Sequence, residues 1–147
     1  MVPLNEMTLR RAVLADAAVL AALAGELGYA RTAEEIGATL SRFAARDDQA
    51  VWVAEHRGQV LGWLHASERL ALESSLRVEV LGLVVTAAAR GSGIGARLLL
   101  EAEAWARLRG VAEIELRSNI RREDAHRFYL RQGYLQSKTS YTFRKAL

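Results

Sequence analysis

Between residues 83 and 96 the chain carries its most informative stretch, Leu83-Val84-Val85-Thr86-Ala87-Ala88-Ala89-Arg90-Gly91-Ser92-Gly93-Ile94-Gly95-Ala96. An apolar strand runs into a glycine-rich turn, and the turn opens an amphipathic segment. Alternate glycines let backbone approach a ligand with no Cβ in the way. The first turn of a helix offers unpaired N–H groups and the positive end of the dipole. Arg90 adds a fixed positive charge at the mouth. Those residue types in that order predict an anion-binding turn with a phosphate as guest.

Three phosphate turns use such a pattern. A nucleotide-triphosphate loop needs Lys and then Ser or Thr after its last glycine, and Ala96-Arg97 stands there instead. A dinucleotide fingerprint, G-x-G-x-x-A, is satisfied by Gly91 to Ala96, with Glu115 at a suitable distance beyond. That fold places its turn after the first strand and needs several β-α units afterwards, whereas here one crossover strand and one short helix follow. The third is a turn that holds the pyrophosphate of coenzyme A.

The elements that position this turn can be read from periodicity. A strand is expected over 8–13. A helix follows from an Asp16 N-cap to about Leu27, with Leu20, Leu23 and Leu27 on one face and Gly28 as its stop. Thr32 opens a second helix with Glu35 three residues on, a capping box. Residues 50–55 and 59–67 read as strands around a tight Arg57-Gly58 turn. Residues 77–86 form a long β-rich run. A helix spans about 93–109, with Ile94, Leu98, Ala102 and Trp105 at helical spacing. A strand over 112–117, a short helix over 123–132 and one or two closing strands over 134–144 complete the order β α α β β β α β α β β. This is an α+β (mixed α/β) class around one sheet, and residues 1–147 are expected to form one domain.

Composition narrows the rest. The 147 residues contain no cysteine, which excludes disulfides, thiolate metal sites and a cysteine nucleophile. No apolar run is long enough to span a membrane, and the N-terminal stretch does not read as a signal peptide, so a cytoplasmic setting is the default expectation. The net charge is +3, and of twenty basic residues only Lys138 and Lys145 are lysines. The arginines are spread along the chain with no recognition-helix motif, so nucleic acid is not expected as a partner. If Arg57-Gly58 is a two-residue turn, His56 faces Gln59 and His65 faces Ala50. The two histidines are then roughly 20 Å apart, too far to share an ion, and no metal site is expected. No Ser-His-Asp arrangement follows from spacing.

The pattern Val-x-x-x-x-Arg-Gly-x-Gly-Ile-Gly resembles motif A of the GNAT superfamily of N-acetyltransferases, with Arg90, Gly93 and Gly95 in its core positions. Ala87 stands where members often have proline. Downstream, Ala125-His-Arg-Phe128-Tyr129-Leu-Arg-Gln-Gly133-Tyr134 resembles motif B, and 138–145 resembles the closing strand of a common bacterial subgroup. The resemblance implies a mostly antiparallel sheet with one splayed parallel pair of strands, flanked by about four helices. It implies acetyl-coenzyme A as co-substrate and transfer of its acetyl group to a primary amine of a small molecule or peptide. The attack would be direct, in a ternary complex. A non-catalytic acyl-CoA-binding sensor on the same fold is the alternative. A homodimer is compatible with either.

By that resemblance the backbone of Leu83, Val84 and Val85 pairs with the pantetheine arm. Arg90, Gly91, Ser92, Gly93, Ile94, Gly95 and Ala96 hold the pyrophosphate. Asn119 is placed to bond the pantetheine, although the usual asparagine position before motif B holds Arg122. Ala125 and Phe128 belong to the motif B wall. Arg122, Arg127 and Arg131 are candidates for the adenosine 3′-phosphate. Tyr129 is the expected general acid at the sulfur. Glu79, a carboxylate in an apolar run on the strand that often supplies a base, is the expected base; pairing with Arg77 or Arg117 is its structural alternative. Tyr29, Glu34, Trp63, His65 and Glu79 are expected to shape an acceptor pocket with the 27–32 link and the middle strands, and acidic plus aromatic groups would suit a cationic amine.

Overall fold

The computed structural model describes residues 2–147. Contacts divide the chain into two compact units, Met1–Arg117 and Ser118–Leu147. The first holds a five-stranded sheet in the order β1-β2-β3-β4-β5, made of β1 (Thr8–Arg11), β2 (Gln49–His56), β3 (Gln59–Ala71), β4 (Ser74–Val85) and β5 (Ile114–Leu116). The first four strands are antiparallel neighbours, and β5 joins β4 in parallel. Helices α1 (Ala17–Glu26), α2 (Ala33–Phe43) and α3 (Ile94–Leu108) belong to the same unit. The second unit holds α4 (Glu123–Arg131). This is the α+β class the sequence implied, with one splayed parallel pair.

The β2–β3 hairpin follows from its turn. Arg57 (φ 50°) and Gly58 (φ 77°) both occupy the left-handed region, and such a two-residue turn matches the twist of the flanking strands. Alternation then sorts side chains onto two faces. Val53 and Val84 pack with Leu20 and Leu23 of α1, and Trp63 leans on that cluster. On the opposite face Trp52 meets Trp105 of α3 edge-on, with ring centroids 5.8 Å apart. Leu64, Ile94, Leu98 and Leu99 are almost wholly excluded from water.

Several expectations change. Thr32 and Glu35 do form the reciprocal capping box on α2. Asp16 does not cap α1, because its carboxylate is taken by Arg10 (2.8 and 2.9 Å) and by the Val13 N–H (2.8 Å). A register shift between Ala54 and Glu55 inserts one residue, so His65 faces Val51 and not Ala50. Among the described residues no strand is assigned over 134–147, and Tyr141 and Phe143 are exposed. Their alternation supplies a face, but only ladder hydrogen bonds make a strand.

Candidate functional site

The parallel β4–β5 ladder is short. It pairs Val78 with Ile114, Glu79 with Glu115 and Val80 with Leu116, and there β5 ends. Strand β4 runs on to Val85, so its last five residues have β3 on one side and no β5 on the other. Thr86 N–H donates to the Leu61 carbonyl (2.8 Å), which fixes the phase of the ladder. With alternation, the backbone groups of Val84 and Gly82 face β3, and those of Leu83 and Val85 face the open side. Of the three residues expected to present backbone there, Val84 is therefore occupied by β3. The Val85 carbonyl accepts from Arg90 Nε at 3.1 Å.

A bulge sets the side chains of this strand. His65 pairs with Gly82 and Ala66 with Val80, which leaves Leu81 extra. Strict alternation would place Glu79 with Leu81 and Leu83. The bulge returns it to the face of Gly82 and Val84, the face that carries His65 and Ser67. Glu79 is largely buried and lies 3.4 Å from Arg117 Nε. Its neighbour across the parallel pair, Glu115, is held by Arg69 and Arg77 at 2.9 Å each, and these guanidiniums keep its carboxyl below the usual range against the opposing effect of burial.

From Val85 the chain passes through a 3-10 turn, Ala87–Ala89, into the glycine segment. Gly91 (φ 79°) and Gly93 (φ 87°) are left-handed, a conformation that other residues rarely adopt. Helix α3 begins at Ile94, and its first intrahelical bond at this end is Arg97 N–H to the Gly93 carbonyl (3.1 Å). No side chain caps it, so the N–H groups of Gly93, Ile94, Gly95 and Ala96 have no intrahelical acceptor. The Ile94 side chain is core, which leaves only its N–H for a ligand. Ser92 Oγ donates to the Ala89 carbonyl and stiffens the turn.

Three further residues shape this end and were not foreseen. Glu26, at the end of α1, accepts from Ala87 N–H and Thr86 Oγ (2.9 Å each), and these bonds lower its pKa. Leu4 lies over Gly93, where a Cβ would come within 3.0 Å of its Cδ1. Arg97 donates to the Leu4 and Met7 carbonyls (2.7 and 3.2 Å) and ties that segment down. Each contact spans tens of residues, so no local pattern could flag it.

On the Glu79 face, α1, α2, β2 and β3 enclose a cleft of about 80 Å³. Leu20, Ile36, Leu40 and Phe43 wall it from the helices, with Val51, Trp63 and His65 from the strands. Phe43 and His65 rings lie 4.9 Å apart, and burial lowers the His65 pKa to about 4. Of the five residues expected around an acceptor pocket, Trp63 and His65 line this cleft, while Tyr29 and Glu34 are exposed and they and Glu79 are outside its lining.

In the second unit, Ala125, Phe128 and Tyr129 of α4 are half-buried and Arg131 is exposed, as is Arg122 just before the helix. Burial raises the Tyr129 pKa, with Arg122 acting weakly the other way. Its ring meets Phe128 at 5.3 Å and Tyr134 at 6.3 Å. Asn119 Oδ1 accepts from Arg121 N–H (2.9 Å), and the Asn119 carbonyl is bonded to His126 Nε2 (2.8 Å). His126 is therefore spent on its own turn. Arg127 pairs with Asp124.

A splayed strand pair leading into a glycine turn and an uncapped helix defines a recognisable class. The pattern of the Acetyltransferase (GNAT) family matches residues 18–134, and the chain belongs to that family. It is 43% identical over 96 residues to an aminoalkylphosphonate N-acetyltransferase of Salmonella typhimurium (strain LT2), covering 65% of this chain and 61% of that protein. The chain thus spans about three fifths of that relative's length. Its fold is similar to a transcriptional regulator from Bacillus halodurans C-125 (TM-score 0.83, 25% identity, 95% and 99% of the two chains). It is also similar to the aminoglycoside N-acetyltransferase AAC(6')-Iy in complex with CoA (TM-score 0.85, 18% identity, 96% and 95% covered).

Among the described residues no helix is long and apolar enough to cross a membrane.

Proposed function

We propose that the chain transfers the acetyl group of acetyl-coenzyme A to a primary amine of a small molecule or peptide, by direct attack in a ternary complex. The observation that carries this is the open edge of β4. It offers the Leu83 backbone and the Val85 N–H beyond the end of β5 and leads directly into an uncapped helix start. An extended amide-bearing arm suits the edge, and a pyrophosphate suits the N–H groups of residues 93–96 with Arg90 beside them. The same N–H and guanidinium donors would favour no cationic guest. When bound, acetyl-coenzyme A supplies the activated acyl group; the chain's residues bind, orient and move protons.

A lysine-like amine has a reference pKa near 10.4, so under roughly a thousandth is neutral at pH 7. Glu79, directly or through a water chain, is the proposed base. Tyr129 is the proposed acid at the departing sulfur. A thiolate with a reference pKa near 8.5 is a fit partner for a phenol that burial keeps protonated at neutral pH. Asn119, Arg122, Ala125, Phe128 and Arg131 are proposed to complete the coenzyme wall. The likeness to a protein named as a transcriptional regulator favours a second reading, an acyl-CoA sensor without turnover.

Thermal unfolding with and without acetyl-coenzyme A tests the donor site. Ligand at a hundred times its Kd adds about 2.7 kcal/mol, several degrees for a chain of this size. No shift at millimolar acetyl-coenzyme A would overturn both readings. Release of free coenzyme A with an amine separates enzyme from sensor. Tyr129→Phe is expected to lower that kcat by about a hundredfold with KM for acetyl-coenzyme A unchanged.

A further inference from the structure

The cleft beneath α2 has hydrogen bonds that run in one direction. Ser67 Oγ donates to the Glu68 carbonyl (3.1 Å), so it accepts from Gln49 Nε2 (2.7 Å). That orients the Gln49 amide and puts its Oε1 2.7 Å from His65 Nε2. An amide oxygen only accepts. His65 therefore carries its proton on Nε2, and its Nδ1 is a bare lone pair. With a pKa lowered to about 4 by burial, the ring is neutral at pH 7.

No described residue bonds Nδ1, and that atom is not among the buried unpartnered ones, while His65 lines the cleft. Trp63 Nε1, from the same lining, is buried with no acceptor. The one lining hydroxyl, Thr39, is spent on the Glu35 carbonyl (3.1 Å). The other walls are hydrocarbon, and no lining side chain is charged at neutral pH. An ammonium there would gain one bond to Nδ1, and a phosphonate or carboxylate one from Trp63 Nε1–H, but neither would meet a countercharge to offset its lost water. Size is a further limit. An engineered apolar cavity of about 150 Å³ takes benzene, and this one is roughly half that.

We infer that this cleft holds the body of the acceptor, a short uncharged aliphatic group bearing a hydroxyl that donates to His65 Nδ1. The occupant's being the acceptor rests on the acetyl-transfer reading; the chemistry of the cleft does not. His65 is a positioning and specificity residue in this account, distinct from the base. The pairing of Trp63 with Val84 and of His65 with Gly82 puts the cleft floor one strand, about 4.8 Å, from β4, whose far side is the open edge. A polycation is excluded from the cleft by the same walls that admit an alkyl chain.

The test uses the full chain labelled with ¹⁵N, at pH 7. Long-range ¹H–¹⁵N correlation should show His65 protonated at Nε2 and bare at Nδ1; the opposite tautomer or a doubly protonated ring overturns the wiring. Titration with isobutanol should shift His65 Nδ1 and the Trp63 indole resonance saturably. Spermidine and methylphosphonate at the same concentrations should not. No saturable response to isobutanol, or an equal response to spermidine, overturns the proposal. Thr39→Phe, on the half-exposed rim, should abolish the isobutanol response, and persistence of the response would overturn it; the wild-type titration stands whether or not that variant folds. Acetyl-coenzyme A stabilisation measured on the same sample reports the donor site separately. A sample stabilised by acetyl-coenzyme A but silent to isobutanol sinks the cleft assignment alone.

Discussion

Trp63 lies on Gly82, and replacing that glycine by alanine tests how rigidly the cleft floor is held. A Cβ at 82 would stand 2.7 and 2.8 Å from Trp63 Cζ3 and Cη2. Carbon atoms settle at about 3.5–4.0 Å, so the ring must retreat by nearly an ångström. It packs against the cluster of Leu20, Leu23, Val53 and Val84, which resists. Overpacking of this kind costs about 1–3 kcal/mol. Removing a strand glycine returns roughly 0.5–1 kcal/mol of backbone entropy. The net expectation for Gly82→Ala is a loss of about 1–2 kcal/mol, or a Tm lower by roughly 2–8 °C. Urea unfolding followed by circular dichroism would measure it. The same substitution in a Trp63→Phe background, whose smaller ring can withdraw, should cost clearly less. Equal losses in the two backgrounds, or no loss in either, would refute the contact as the reason for glycine.

Three further outcomes follow from the geometry. His65 binds its proton near 6.5 when unfolded and near 4 when folded, so its contribution is complete above about pH 6.5 and declines as pH falls towards 4. The decline is on the order of 2–3 kcal/mol after allowance for partial exposure, and His65→Gln should flatten it in unfolding curves taken across that window. Asp16→Ala removes a carboxylate that Arg10 and the Val13 N–H hold below its ordinary pKa; it should cost about 1–3 kcal/mol at pH 7 and progressively less as pH falls through the folded pKa of Asp16, measured by urea midpoints. Gly93→Ala forces a side chain into φ +87° against Leu4, a strain of about 1–2 kcal/mol, and should weaken acetyl-coenzyme A roughly tenfold in calorimetry.

How much of this was legible depended on how local its cause was. The glycine turn, the Arg57-Gly58 hairpin and the Thr32–Glu35 box each act within a few residues, and each can be read from those residues alone. Asp16 looked like a cap because Asp before a helical run usually is one; Arg10, six residues away on a strand, competes with a stronger charge. The register shifts at Ala54/Glu55 and at Leu81 were hidden because a bulge leaves little mark in composition. Gly82 was a hint, since glycine inside a strand marks a bulge or a close approach, and here it marks both. The shift at Leu81 decides which face Glu79 occupies, so the placement of the candidate base was beyond the sequence. Glu26 and Leu4 reach the glycine turn only through the tertiary fold.

An unpaired strand edge is a hazard as well as a docking place, because any extended chain can add to it. In Met1–Arg117 the stretch from Leu81 to Val85 is such an edge, and it is short and blunted at both ends. At one end the bulge at Leu81 twists the backbone out of register for a long intruding strand. At the other the Arg90 guanidinium covers the Val85 carbonyl and brings a charge to the mouth. What remains between them is an edge five residues long, of which Leu83 lies in the middle. The side chain proposed to draw in an anionic ligand thus also covers an open carbonyl at the end of the strand.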